Sequence, residues 1–252
     1  MNFNFKQKIP LENILELNDV HIYCISVDDE DSNLPFYIKN LSDDEMKRAN
    51  RFVFEKDKKN FIIKRGVQRQ ILSYYLNVEP QKIIFTYNEY GKPNIDKTLN
   101  HQKINFNVSH SNNKIILGIV KNKHIGIDIE NITSLKPYDD VINRYFSKYE
   151  ILKFNSLSNS LRQKAFFATW TRKEAYIKAQ GLGLSYPLNK FSVSIDPNSN
   201  TQLIDDENCD ISTWSLEEIL SSDDYIAAIA VKGTNLKYTF KNYNDIHILK
   251  FQ

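Results

Sequence analysis

The chain has 252 residues, 25% of them charged, and a net charge of only +2, so bulk electrostatics give no reason to expect a nucleic-acid partner. Its two cysteines, Cys24 and Cys209, are too few and too far apart for a disulfide scaffold or a zinc site, which suits a reducing, intracellular setting. The opening "MNFNFKQKIP" lacks the apolar core of a signal peptide, and the longest apolar run, "IILGIV" (115–120), is far short of a membrane span, so the expectation is a cytoplasmic globular protein with no membrane partner.

In chain order, "VHIYCISV" (20–27) reads as a strand. "LSDDEMKRANRFVF" begins a helix, with Ser42 as cap and Asp43, Asp44 and Glu45 in the first turn, where the helix dipole favours acids. A second helix is expected over 57–76, with Phe61, Ile62, Leu72 and Leu76 near helical spacing. "KIIFTYNEYGKPNI" is a strand broken by a Gly-Lys-Pro turn, and "INFNVSHSNNKIILGIV" is a pair of strands joined by a polar turn.

"HIGIDIEN" (124–131) has a strict period of two. Ile125, Ile127 and Ile129 share one face of a strand, and Gly126, Asp128 and Glu130 share the other. Helices follow near 138–146, 148–155 and 160–180, the last stopped by Gly181 or Gly183 and Pro187. "KFSVSI", "ISTWSLEEI", "DDYIAAIAV" and "NLKYTF" then read as strands of an antiparallel sheet. "ANRFVFEKDKKNF" (49–61) echoes "INRYFSKYEILKF" (142–154), and sheet-like segments follow both. The expected class is α+β, with two related halves, 1–122 and 123–252, because strands cluster instead of alternating with helices.

Two carboxylates on one face repel unless a positive charge joins them. The last long helix supplies a third acid, Glu174, and, one turn on, Lys178. Asp128, Glu130 and Glu174 are a hard oxygen set suited to magnesium, which keeps waters and substrate phosphates in its remaining positions. The same residues also suit a strand end facing water and an exposed i, i+4 pair, and spacing alone leaves both readings open.

The motifs "GKPNI", "FNVSHS", "IGIDIE" and "FATWTRKEAYIKAQGLGLSYPL", in this order and at close to these separations, resemble the 4'-phosphopantetheinyl transferases of the two-domain, Sfp type, over most of residues 47–231. The resemblance implies two α+β subdomains related by a pseudo-twofold, with a cofactor cleft between them. It implies transfer of the phosphopantetheine arm of coenzyme A to a serine of an apo acyl or peptidyl carrier protein, with adenosine 3',5'-bisphosphate released. The attacking hydroxyl then belongs to the partner, which accounts for the lack of a nucleophile motif in this chain.

Carried over by position, Asp128, Glu130 and Glu174 are implied magnesium ligands, with Glu174 also counted among the catalytic residues and Asp128 facing the coenzyme. Lys178 is implied to contact the phosphate and protonate the leaving group, and Glu150 to be the base that activates the carrier serine. Lys47, Arg48, Lys92, Ser109 and His110 are implied to bind the coenzyme. Where relatives often carry a helix arginine this chain has Asn60, and Lys64, one turn on, is expected to replace it. A monomer is expected, since two halves complete a cleft in one chain. Two other functions use the same residues: an inactive protein that binds coenzyme A or a nucleotide, and a metal-dependent phosphodiesterase.

Overall fold

The computed structural model describes residues 15–132 and 138–248, so the expectation for the first ten residues lies outside the described ones. In the first half, β1 (Asp19–Ser26) is followed by a 3-10 turn and two short helices, α1 (Leu34–Asn40) and α2 (Asp43–Ala49). The long helix α3 (Glu55–Leu76) comes next, beginning two residues before its expected start at 57. A small hairpin, β2 (Phe85–Tyr87) and β3 (Pro93–Ile95), precedes β4 (Ile104–Ser111) and β5 (Lys114–Lys121). The second half begins with β6 (Ile125–Asn131), then α4 (Asp139–Tyr145), α5 (Lys148–Ser156) and α6 (Asn159–Gln180). The remaining strands are β7 (Phe191–Val193), β8 (Leu203–Asp206), β9 (Trp214–Ser221), β10 (Tyr225–Lys232) and β11 (Lys237–Phe240), and α7 (Tyr243–Ile248) ends the described chain.

The order of layers follows from side-chain alternation. On β5, Ile115, Leu117 and Ile119 face α3, whose Ile63, Val67 and Ile71 are fully buried. The alternate residues Ile116 and Val120, with Val20 and Ile22 of β1, pack instead on Ile125, Ile127 and Ile129 of β6 and Ile229 of β10. The other face of the β6–β10–β9 sheet receives α6 through Ala175, Tyr176 and Ala179. Helix, sheet, sheet and helix thus form an α+β stack, and each buried isoleucine contributes about 1.5–3 kcal/mol to it.

The expected single antiparallel sheet for the last four segments is not what forms. Only β9 and β10 join β6 in the order β6–β10–β9, while β7 pairs with β8 in a separate hairpin. The "NLKYTF" strand, β11, crosses back and pairs in parallel with β1, extending the first sheet to β11–β1–β5–β4. Its backbone groups find partners on the free edge of β1. Helix α7 follows it, placing Tyr243 against Tyr37 of α1 through a 2.8 Å hydroxyl pair.

The internal echo has a structural counterpart, shifted from the register suggested by sequence. Each half has a short helix with a capping box, Ser42–Glu45 on α2 and Ser147–Glu150 on α5, followed by a helix of 22 residues, α3 and α6.

Candidate active site

Gly126 determines how close the second sheet lies to its helix. A Cβ there would stand 2.0 Å from the Ala175 carbonyl oxygen and 2.3 Å from the Ala179 nitrogen, so only glycine lets β6 and α6 approach this closely. The residues flanking that contact, Asp128 and Glu130 on β6 and Glu174 and Lys178 on α6, are thereby drawn into one polar cluster. Gly181, at φ 75°, then caps α6 in the left-handed conformation, and the helix ends beside the cluster.

Asp128 is 3% exposed. Its Oδ1 accepts hydrogen bonds from Lys178 Nζ at 2.6 Å and Ser109 Oγ at 2.8 Å, whereas its buried Oδ2 has no protein partner. Lys178 Nζ also donates to Ser109 Oγ at 3.1 Å. Burial pushes the Asp128 carboxyl above the usual range, against the pull of Lys178. Glu130 is raised by burial and by the Asp128 charge, and Ser111 Oγ donates to its Oε2 at 3.0 Å. Glu174 is pushed up to about 7, first by burial and further by Asp128 and Glu130, with Lys178 opposing.

These acids raise one another's proton affinity but do not converge as placed. Among the described residues no group of three His, Cys, Asp or Glu side chains is close enough to hold a metal ion. The chemistry of the set nevertheless fits a divalent cation: three oxygen donors whose charges repel, one of them carrying a buried oxygen with no partner.

Ser109 and His110, expected to act together, point to opposite sides of β4 because side chains alternate along a strand. Ser109 faces the acids. His110 lines a pocket of about 210 Å³ with Arg48, Lys64, Arg65 and Phe61. Its imidazole is held below its usual range by burial, then by Lys64 and Lys178. Arg48, Lys64 and His110 thus line one pocket, and Arg65 is a further lining cation that the sequence does not single out. Lys47 is exposed, pairs with Asp44 at 3.3 Å, and lines a separate hollow with Arg48 and Arg51.

Two expected roles require correction. Lys92 lines a pocket of about 230 Å³ with Lys178 and Asn107, but its ammonium turns inward. It donates to the carbonyls of Lys178 at 2.6 Å and Ile125 at 2.9 Å, and burial lowers its pKa to about 8. In this arrangement Lys92 ties the Gly-Lys-Pro turn to the end of α6 and does not present a free cation to phosphate.

Glu150 is the second correction. It is 0% exposed, and both its oxygens accept from Lys173 Nζ at 2.7 Å. Oε1 also accepts from Val193 N at 2.8 Å and Oε2 from Ser147 N at 2.7 Å. An acid so enclosed and so fully bonded cannot reach the hydroxyl of another protein, so it is not the base. The first half repeats the arrangement: Glu45, also third in its helix, pairs with Arg69 at 2.5 Å. Counted from Glu55 and Asn159, Arg69 and Lys173 are each the fifteenth residue of their long helix. Each cation also binds carbonyls of the segment that follows its own helix, Arg69 those of Pro80 and Ile83, and Lys173 that of Phe191. The pair is a clamp that each half builds once.

Residues missed by the sequence reading lie on β4. Asn107 Oδ1 accepts from Ile127 N at 2.8 Å, and Ser111 Oγ accepts from Asn131 N at 3.0 Å. The signal that could have revealed them is the alternation Asn105, Asn107, Ser109, Ser111 on one strand face.

Comparison with known proteins bears on these same segments. Residues 124–230 match the family described as 4'-phosphopantetheinyl transferase superfamily, and residues 28–122 the one described as 4'-phosphopantetheinyl transferase, N-terminal. The 4'-phosphopantetheinyl transferase HetI of Nostoc sp. is 35% identical over 228 residues, covering 90% of this chain and 93% of that protein. The transferase gsp of Aneurinibacillus migulanus is 33% identical over 173 residues, 69% of each chain. Sfp of Bacillus subtilis is 29% identical over 185 residues, 72% of this chain and 80% of that one. The matched segments contain the acids on β6 and α6, Lys178 and the facing serine of β4, and the chain belongs to the 4'-phosphopantetheinyl transferase superfamily.

Proposed function

We propose that the protein transfers the 4'-phosphopantetheine group of coenzyme A to a serine of an apo acyl or peptidyl carrier protein. The serine oxygen bonds to the phosphorus bearing the pantetheine arm. The bond from that phosphorus to the bridging oxygen breaks, and adenosine 3',5'-bisphosphate leaves with the electron pair. The observation that carries this reading is Asp128, with one oxygen shared by Lys178 and Ser109 and the other buried without a partner.

Asp128, Glu130 and Glu174 would hold magnesium, which when bound supplies a Lewis acid for the charge of the diphosphate. Lys178 Nζ, beside Ser109 Oγ, would donate to a phosphate oxygen and supply the proton that the leaving group takes up. Glu174, pushed up to about 7 by burial and by its acid neighbours, must give up its proton to hold the ion, so its part is that of a ligand, and the serine proton is released to water. Arg48, Lys64 and His110 would receive the coenzyme's other phosphate in their shared pocket.

The division into halves at residues 122 and 123, a cytoplasmic location and a monomeric state belong to the same proposal. Among the described residues no helix is long and apolar enough to cross a membrane, and both cysteines are free. The carriers of peptide or polyketide synthetases are the proposed partners.

The test is to incubate the protein with coenzyme A, magnesium chloride and an apo carrier protein and then measure the carrier's mass. A gain of one phosphopantetheine group supports the transferase. Coenzyme A cleaved with no gain on the carrier would establish a phosphodiesterase, and binding without turnover an inactive binding protein.

A further inference from the structure

We propose that Ser111 is a positioning residue that restrains the Glu130 carboxylate at the seam, on the same strand face as Asp128, a role that rests on the transferase reading above. Strands β4 and β6 are edge strands of different sheets, β4 at the end of β11–β1–β5–β4 and β6 at the end of β6–β10–β9. Polar side chains on one face of β4 bridge the two in register. Asn105 Nδ2 donates to the Lys123 carbonyl at 2.8 Å, Asn107 accepts from Ile127 N at 2.8 Å, and Ser109 donates to Asp128 at 2.8 Å. Ser111 is the last rung.

That rung has a fixed direction. Ser111 Oγ accepts the Asn131 N–H at 3.0 Å, so its single proton is free to go to Glu130 Oε2, also at 3.0 Å. Glu130 is half-buried at the end of the acid face, and Ser111 holds one oxygen of its carboxylate at the seam between β4 and β6. Ser111 is itself fixed from both sheets. It pairs with Lys114 across the hairpin, and the next turn is bound to β10 by Tyr225 Oη donating to Asn113 Oδ1 at 2.7 Å. Position along the seam is thereby converted into carboxylate orientation.

The test is calorimetric titration of the full chain with coenzyme A, with and without magnesium chloride, for the wild type, Ser111→Ala and Ser111→Thr. Loss of one hydrogen bond to a charged group predicts that Ser111→Ala loses on the order of tenfold of the magnesium-dependent gain in affinity. Binding without magnesium should stay within about twofold of wild type, and Ser111→Thr, which keeps the hydroxyl, should restore the gain. An alanine variant that keeps the full magnesium response overturns the role, as does equal loss in both variants accompanied by equal loss of urea stability. A wild-type protein whose coenzyme A affinity ignores magnesium overturns this role, whereas the transferase reading itself fails only if the carrier gains no mass.

Discussion

Lys173 and Glu150 form an ion pair with neither side chain exposed, Nζ lying 2.7 Å from both carboxylate oxygens, one residue before the acid of the proposed site on α6. The pair fixes α6 to α5 and β7, so its disturbance should appear first as lost stability. Lys173→Met leaves a buried carboxylate without its cation and should cost about 3–5 kcal/mol in urea unfolding. Adding Glu150→Leu to that variant should recover most of the loss. A folded Glu150 variant should keep the wild-type pH profile of transfer, and a lost acidic limb would restore Glu150 as the base.

Gly126→Ala would place a methyl group against backbone atoms of α6, where no flexible side chain can yield. Overpacking of this kind costs about 1–3 kcal/mol or more. The variant should melt lower and lose transfer, because β6 and α6 can no longer approach closely enough to share the acid cluster. Thermal melts paired with the mass assay check this, and wild-type activity would show that the close approach is dispensable.

His21, buried in β1 and accepting or donating at 2.7 Å to Tyr75, is lowered to about 4, mainly by burial and then by Lys241. Its folded pKa lies below the unfolded value of 6.5, so the unfolded chain binds the proton first as pH falls. Stability is lost between pH 6.5 and about 4, by up to about 3 kcal/mol for this group. The buried acids with raised pKa values work in the opposite direction, so the quantity to measure is wild type minus His21→Gln in urea unfolding. That difference should shrink as pH falls through this window, and a constant difference would refute the assignment.

Glu174, titrating at about 7, must lose its proton before it can hold a cation. Magnesium affinity should therefore rise with pH from 6 to 8 and level off above, with proton release on binding. In Glu174→Gln the affinity should be weaker and its slope over this range reduced. Fluorescence or calorimetric titrations at several pH values measure both.

Much of this site was legible because strand and helix periods sort residues to faces without reference to the rest of the fold. Asp128 and Glu130 share a face by period two, and Glu174 and Lys178 share one by a spacing of four. The structural role of Glu150 is not evident from spacing alone, although "SKYE" carries the same Ser-x-x-Glu capping spacing as "SDDE" at Ser42. Its burial depends on Lys173 and β7, which spacing does not reveal. The inward turn of Lys92 is hidden for a similar reason: only the fold brings the carbonyl end of α6 to the Gly-Lys-Pro turn. The parallel seat of β11 on β1 depends on which sheet edge is free, a property of the assembled molecule that "NLKYTF" does not encode.

The most direct measurement is the carrier mass after reaction with coenzyme A and magnesium, catalysed by wild type and by Asp128→Asn at equal folded concentration. Asparagine keeps an acceptor for Ser109 but leaves Lys178 without its carboxylate, so urea unfolding of the variant sets the folded concentration at which the rates are compared. The account predicts that it loses on the order of a thousandfold in transfer rate. An Asp128→Asn protein that modifies the carrier at the wild-type rate would contradict it.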